Sequence, residues 1–237
     1  MLIFPAIDIL EGKVVRLSQG KFSSKTVYND NPLSVAMQWQ EEGAKFLHIV
    51  DLDGAKAGKP INFALIEKIV HAVRIPIQLG GGIRDINSLK MILDKGIERA
   101  VLGSAAVQNP RFLSQACSQF GERIAVGIDA RHGLVSIAGW REATKKKAIE
   151  LAREVEANGV RTIIFTDIER DGMLISCNVD GIAEMLAAVK IPLIASGGIS
   201  TIEDIIKLKR LGLAGIIIGK AFYDGKLTLS EAMKAAQ

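Results

Sequence analysis

The chain has 237 residues, 49% of them hydrophobic, and a formal net charge of +4. That length suits one closed domain with a sizeable core, and a (β/α)8 barrel of about 250 residues would use nearly all of it. Two cysteines, Cys117 and Cys177, with no CxxC or Cys/His spacing, exclude a disulfide scaffold and argue against zinc, and no uninterrupted apolar stretch reaches the roughly 18–20 residues of a membrane helix.

The N-terminus, MLIFPAIDILEGK, enters a strand directly, without a basic leader or a cleavage motif, so a cytoplasmic location is expected. Apolar runs rich in Val, Ile and Leu then recur near residues 2–8, 46–51, 75–79, 99–103, 123–129, 161–167, 191–196 and 214–219. Near-continuous hydrophobicity is what strands covered on both faces require, and alternation with helices implies a parallel sheet. Asn31-Pro32 and Asn109-Pro110 suit an N-cap followed by a first helical position. Ile66, Ile69, Val70 and Val73 follow helical spacing, as do Ala148, Leu151, Ala152 and Val155. Ser200 with Glu203, and Thr228 with Glu231, have the spacing of a capping box. The densest basic clusters, Lys145-Lys146-Lys147 and KLKR at 207–210, read as solvated helix faces. No aromatics are interleaved with them for base stacking, so nucleic acid is not an expected partner.

Landmarks repeat at a fixed offset. Asp51 and Asp167 are separated by 167 − 51 = 116, Gly82 and Gly198 by 198 − 82 = 116, and Gly103 and Gly219 by 219 − 103 = 116. Asp8 and Asp129 give 129 − 8 = 121, which needs a small length difference in the first connection. The reading is an α/β fold, a single TIM barrel over 1–237 built from half-barrel repeats of roughly 1–120 and 121–237. An open doubly wound sheet does not require an even duplication.

In such a barrel the chemistry sits at the C-terminal ends of the strands. Four glycine-bearing turns fall there: Gly80-Gly81-Gly82, Gly103-Ser104, Ser196-Gly197-Gly198 and Gly219-Lys220. One GG pair could serve a tight turn alone. Four turns paired at one offset point to two phosphate cradles, because glycine lets backbone N–H groups approach an anion closely. Two cradles on opposite sides of the mouth predict a bisphosphorylated small molecule lying across the barrel axis.

Asp8 and Asp129 end the first and fifth strands. A carboxylate there is costly unless solvated, hydrogen-bonded or used, and an opposed pair can work as general base and general acid. Asp51, Thr166 and Asp167 are further strand-end groups able to hydrogen-bond substrate hydroxyls, and Arg16 and Lys56 are able either to neutralise an anion or simply to be solvated. His48 on a barrel strand can face the centre. HExxH, EF-hand and GxSxG patterns are absent. The expectation is acid–base work without metal or cofactor, in a chain that is a monomer by default.

PAIDI at 5–9, VVRL at 14–17, HIVDLDGA at 48–55, QLGGGIR at 78–84, GSAAVQNP at 103–110, VGIDAR at 126–131, GW at 139–140, TDIERDG at 166–172 and ASGGIS at 195–200 resemble, collinearly and from end to end, the ProFAR isomerases of histidine biosynthesis. The resemblance implies a barrel performing an Amadori rearrangement, with Asp8 as base and Asp129 as acid. It implies that Gly82, Gly103 and Ser104 hold one phosphate, beside Gly81 of the same glycine turn, and that Gly172, Gly198, Gly219 and Lys220 lie around the other. His48, Thr166 and Asp171 match substrate-site positions, and Arg16 joins them as a binding candidate on its charge. Met173–Cys177 and Lys145–Lys147 depart from the family pattern in loops expected to cover the mouth. The related cyclase is disfavoured, because Ala6 stands where it carries cysteine and Arg16 where it carries lysine. An isomerase also acting on phosphoribosyl anthranilate, for which Arg141 leaves an opening, and a silent phosphate-binding barrel stay as alternatives.

Overall fold

The computed structural model describes residues 1–237. Twelve strands share one sheet: β1 (Leu2–Leu10), β2 (Lys13–Ser18), β3 (Lys21–Asn29), β4 (Leu47–Asp51), β5 (Ile77–Gly80), β6 (Arg99–Leu102), β7 (Ile124–Arg131), β8 (Leu134–Ile137), β9 (Glu142–Lys147), β10 (Ile163–Asp167), β11 (Leu193–Ser196) and β12 (Gly215–Ile218). Eight of them are parallel and close as β1-β4-β5-β6-β7-β10-β11-β12 back to β1. The fold is a TIM barrel, and its eight barrel strands fall on the eight apolar runs of the sequence.

Strand periodicity decides which side chains enter the barrel. Along β1, Ile3, Ile7 and Ile9 face outward into the large core shared with the helices, while Phe4 and Ala6 face inward. Continuing that alternation brings Asp8 to the inner side at the mouth. Along β7, Ile124, Val126 and Ile128 face outward, and Ala125, Gly127 and Asp129 take the inner side. Phe4, Ala6, Phe46, Ala125, Ile164, Ile194 and Ile217 plug the interior. Each large aliphatic side chain removed from water contributes about 1.5–3 kcal/mol. The plug leaves room for a ligand only above it.

The cap signals hold with one shift. Asn31 and Asn109 cap helices that begin at Pro32 and Pro110. Ala148, Leu151, Ala152 and Val155 are all buried on the helix Ala148–Ala157. Thr228 and Glu231 form a capping box, but the other box is Thr201 with Asp204 and not Ser200 with Glu203. Asp204 accepts from both the Ser200 and Thr201 amides, so the shorter carboxylate one position later closes the box.

The four remaining strands form antiparallel extensions above the mouth. β2 and β3 continue β1, and β8 and β9 continue β7. Both begin at turns with two positive φ values, Glu11-Gly12 and His132-Gly133, the signature of a type I′ hairpin turn. These turns keep the aspartates' offset, since 133 − 12 = 121, so the length difference lies beyond them. Lys145–Lys147 lie on β9, correcting the helical reading of that basic cluster.

Candidate active site at the barrel mouth

A cavity of about 220 Å³ opens above the plug. It is lined by Asp8, Arg16, His48, Gly81, Gly82, Gly103, Ser104, Asp129, Thr166 and Asp171, among others. A smaller recess beside it is lined by Gly172, Gly198, Gly219 and Lys220, and shares Arg16 and Asp171 with the larger one. The expected residues therefore come together as two adjoining spaces, with Asp8 and Asp129 in the larger.

The cradles are shaped by backbone strain only glycine bears. Gly81 has φ +107 and Gly197 φ +98, and a Cβ on either would lie 2.2 Å from the Asp51 carbonyl oxygen or 2.5 Å from that of Asp167. The two halves solve one packing problem in one way. Lys220 Nζ donates to the Gly172 carbonyl at 3.0 Å, tying its charge to the second recess. Ser104 Oγ accepts the Ala138 amide at 2.8 Å and so anchors the β8–β9 turn.

Three site expectations are corrected, for Asp51, Asp167 and Lys56. Asp51 accepts from the Gly54, Ile61 and Asn62 amides and from Asn62 Nδ2, at 2.7–2.9 Å, so no oxygen is left for substrate. Asp167 accepts from the Glu169 amide and from Asn178 Nδ2. Both organise loops, and the Asp–Asn pairing recurs at the repeat offset, since 178 − 62 = 116. Lys56 lies over the Phe22 ring at 5.8 Å and does not line the cavity.

Electrostatics separates the two aspartates. Burial, the larger cause, leaves the carboxyl pKa of Asp8 raised, and Arg16, whose guanidinium donates at 2.8 Å, opposes that rise and favours the carboxylate. Burial also raises Asp129, where only the polar groups of Trp140 and Thr166 favour ionisation. One carboxyl has a cation; the other has none. Asp171, 3.8 Å from Arg16, is pushed up to about 6 by burial, Arg16 opposing and Asp8, Asp129 and Asp167 adding to the rise. Burial, with Arg16 adding to it, lowers His48 to about 3, so its ring is neutral.

Asp171 carries a stability prediction. Its folded pKa of about 6 lies above the ordinary value of 3.8, so the folded state binds more protons between about 4 and 6 and this group's penalty grows as pH rises through that window. Asp171→Asn is expected to stabilise the fold by on the order of 2–3 kcal/mol at pH 7.5 and by almost nothing near pH 4. Urea unfolding at both pH values measures it; an equal effect at both would show that ionisation is not the cause.

Sequence reasoning missed Trp140, Phe22 and Arg84, which also line the cavity. Trp140 stacks so closely on Gly20 that a Cβ there would lie 2.1 Å from the indole, closing the β2–β3 and β8–β9 turns over the mouth. Its signal was the GW pair, and that of Arg84 was its place directly after GGGI.

A family model described as histidine biosynthesis protein matches residues 2–228. The chain belongs to that family. The histidine biosynthesis proteins it resembles include one from Geotalea uraniireducens, 51% identical over 98% of this chain and 96% of the relative. Others are from Rippkaea orientalis, 48% identical over 99% and 93%, and Thermoanaerobacter pseudethanolicus, 46% identical over the full length of both. All three are named 1-(5-phosphoribosyl)-5-((5-phosphoribosylamino)methylideneamino) imidazole-4-carboxamide isomerase. In this member of the histidine biosynthesis family no helix is long and apolar enough to cross a membrane, and no group of three or more His, Cys, Asp or Glu is arranged to hold a metal ion.

Proposed function

We propose that this chain is an aldose–ketose isomerase that converts ProFAR, an aminoaldose, to the aminoketose PRFAR in histidine biosynthesis. One observation carries the reading: Asp8 and Asp129 face a single cavity flanked by glycine cradles, in a chain 51% identical to a relative whose name carries two phosphoribosyl groups.

The charge balance supports the division of labour. A general base must be ionised, and Arg16 favours that form of Asp8. A general acid must hold a proton, and burial without a cation favours that form of Asp129. Asp129 protonates the furanose ring oxygen, and the ring C–O bond breaks to give a protonated Schiff base. That iminium is an electron sink, so Asp8 removes the C2′ proton and the C2′–H electrons form the enolamine double bond. Proton return to C1′ and loss of the C2′ hydroxyl proton yield the ketose. Every atom is conserved, and no external oxidant, metal or cofactor is needed.

Gly81, Gly82, Gly103 and Ser104 hold one phosphate, and Gly172, Gly198, Gly219 and Lys220 hold the other. Arg16, His48, Thr166 and Asp171 contact the part between. The 237 residues are one domain of two half-barrel repeats, supported by the duplicated Asp–Asn pairs and paired hairpin turns. The enzyme is a cytoplasmic monomer with buried free thiols, and it has no nucleic-acid partner.

Turnover of ProFAR by purified protein in EDTA, with phosphoribosyl anthranilate in parallel, tests the reading. ProFAR alone should be converted. Conversion of both would make the enzyme bifunctional, and tight binding without product would make it a silent barrel.

A further inference from the structure

Ala6, His48, Gln78 and Arg99 pair in one continuous row across β1, β4, β5 and β6. Three of the four are polar, in a barrel whose other interior positions are mostly apolar. Gln78 is fully buried, where an amide is costly unless its oxygen and its NH2 are both paired. Arg99 Nη1 donates to Gln78 Oε1 at 3.3 Å, while Gln78 Nε2 lies 2.9 Å from His48 Nδ1.

Arginine only donates, so its place at one end of the amide fixes the carbonyl there and turns the NH2 toward histidine. An NH2 group only donates as well, so Nδ1 must accept and the ring proton must sit on Nε2. Nδ1 is engaged inside the wall, and Nε2 is the nitrogen left for the cavity that His48 lines. A protonated ring would set N–H against N–H, and Arg16 nearby adds to the cost.

We propose that Gln78, oriented by Arg99, is a positioning residue that locks His48 in its neutral Nε2–H tautomer, so that the imidazole presents a hydrogen-bond donor to an acceptor oxygen of the substrate. His48 is thereby a fixed donor and neither a base nor a cation in the reaction. The substrate contact rests on the isomerase reading; the tautomer does not.

The test is long-range proton–nitrogen NMR of imidazole-labelled protein. The chain has three histidines, and a His48→Asn variant identifies the signal of interest. Wild type should show a neutral Nε2–H ring between pH 5 and 8. Gln78→Glu keeps a partner for Arg99 but accepts at Nδ1, so it should move the proton to Nδ1 and raise KM for ProFAR roughly tenfold or more. In the His48→Asn background the same change should add little. If the glutamate variant fails to fold, Gln78→Met should give a mixed tautomer instead. A wild-type Nδ1–H or protonated ring overturns the lock. A flipped tautomer with unchanged KM and kcat overturns the donor role. Absence of any ProFAR turnover in wild type would fail the isomerase reading and the donor role with it, leaving the NMR result standing.

Discussion

On the proposed roles, Asp8→Asn and Asp129→Asn are each expected to lower kcat by roughly 10²–10⁴ while bisphosphate binding persists, because each removes one of the two proposed proton-transfer groups and leaves the glycine turns intact. The two losses should differ in kind. With asparagine at 8, ring opening retains its acid, but nothing removes the C2′ proton. Exchange of that hydrogen with solvent deuterium should therefore disappear along with product. Arg16, released from its 2.8 Å bond to Asp8, keeps Asp171 as a weaker partner at 3.8 Å, so bisphosphate affinity should hold or rise. With asparagine at 129 the base is untouched, and the fault lies at ring opening. A substrate analogue already held open should regain much of the lost rate in that variant and none in the other. Stopped-flow binding with single-turnover kinetics separates these outcomes. Equal loss of binding in both variants would count against acid–base roles and for a structural one.

The barrel was legible because its signal is dense. Eight apolar runs, each covered on both faces, cannot easily be anything but parallel strands, and period two then brings Asp8 and Asp129 to the inner side. The extensions over the mouth were harder to read. β3 is KFSSKTVYN and β9 is EATKKK, mostly exposed, so neither carries the apolar run that marks a barrel strand. Their punctuation was present in Glu11-Gly12, Gln19-Gly20 and His132-Gly133, each taking positive φ at both residues. Read as hairpin turns, these dipeptides place a strand on either side. Phe22, which β3 brings to the cavity lining, was hidden for the same reason, whereas Trp140 carried a signal in its GW pair. Repetition located Asp51 and Asp167 but misjudged their work, since a strand-end carboxylate bonded to backbone amides and one bonded to substrate have the same sequence. Gln78 was invisible as a functional residue, because its meaning depends on which end of the amide Arg99 meets.

Asp51→Ala should cost the fold about 4 kcal/mol, near the extreme for a single substitution, whereas Asp167→Ala should cost roughly half as much. The difference follows from what each carboxylate holds. Asp51 is 1% exposed and accepts four hydrogen bonds, three from backbone amides, so its loss releases one buried and three partly buried donors at once. Asp167 accepts two, with the Arg170 guanidinium a further 4.0 Å away. Charge-assisted bonds contribute about 1.5–3 kcal/mol each, but bonds sharing one carboxylate do not add fully, and the loop can take up water once released. Function should follow the same geometry. The loop gathered by Asp51 packs on Gly82, where a Cβ would lie 2.5 Å from the Lys59 backbone, while the loop gathered by Asp167 packs on Gly198, 2.6 Å from the Ser176 carbonyl by the same measure. Each substitution therefore loosens its own cradle, and KM should rise more than kcat falls. Urea unfolding gives the stability order, and steady-state kinetics gives the split. Two equal losses below 1 kcal/mol would mean that these duplicated carboxylates do not hold the loops, and that something else shapes the cradles.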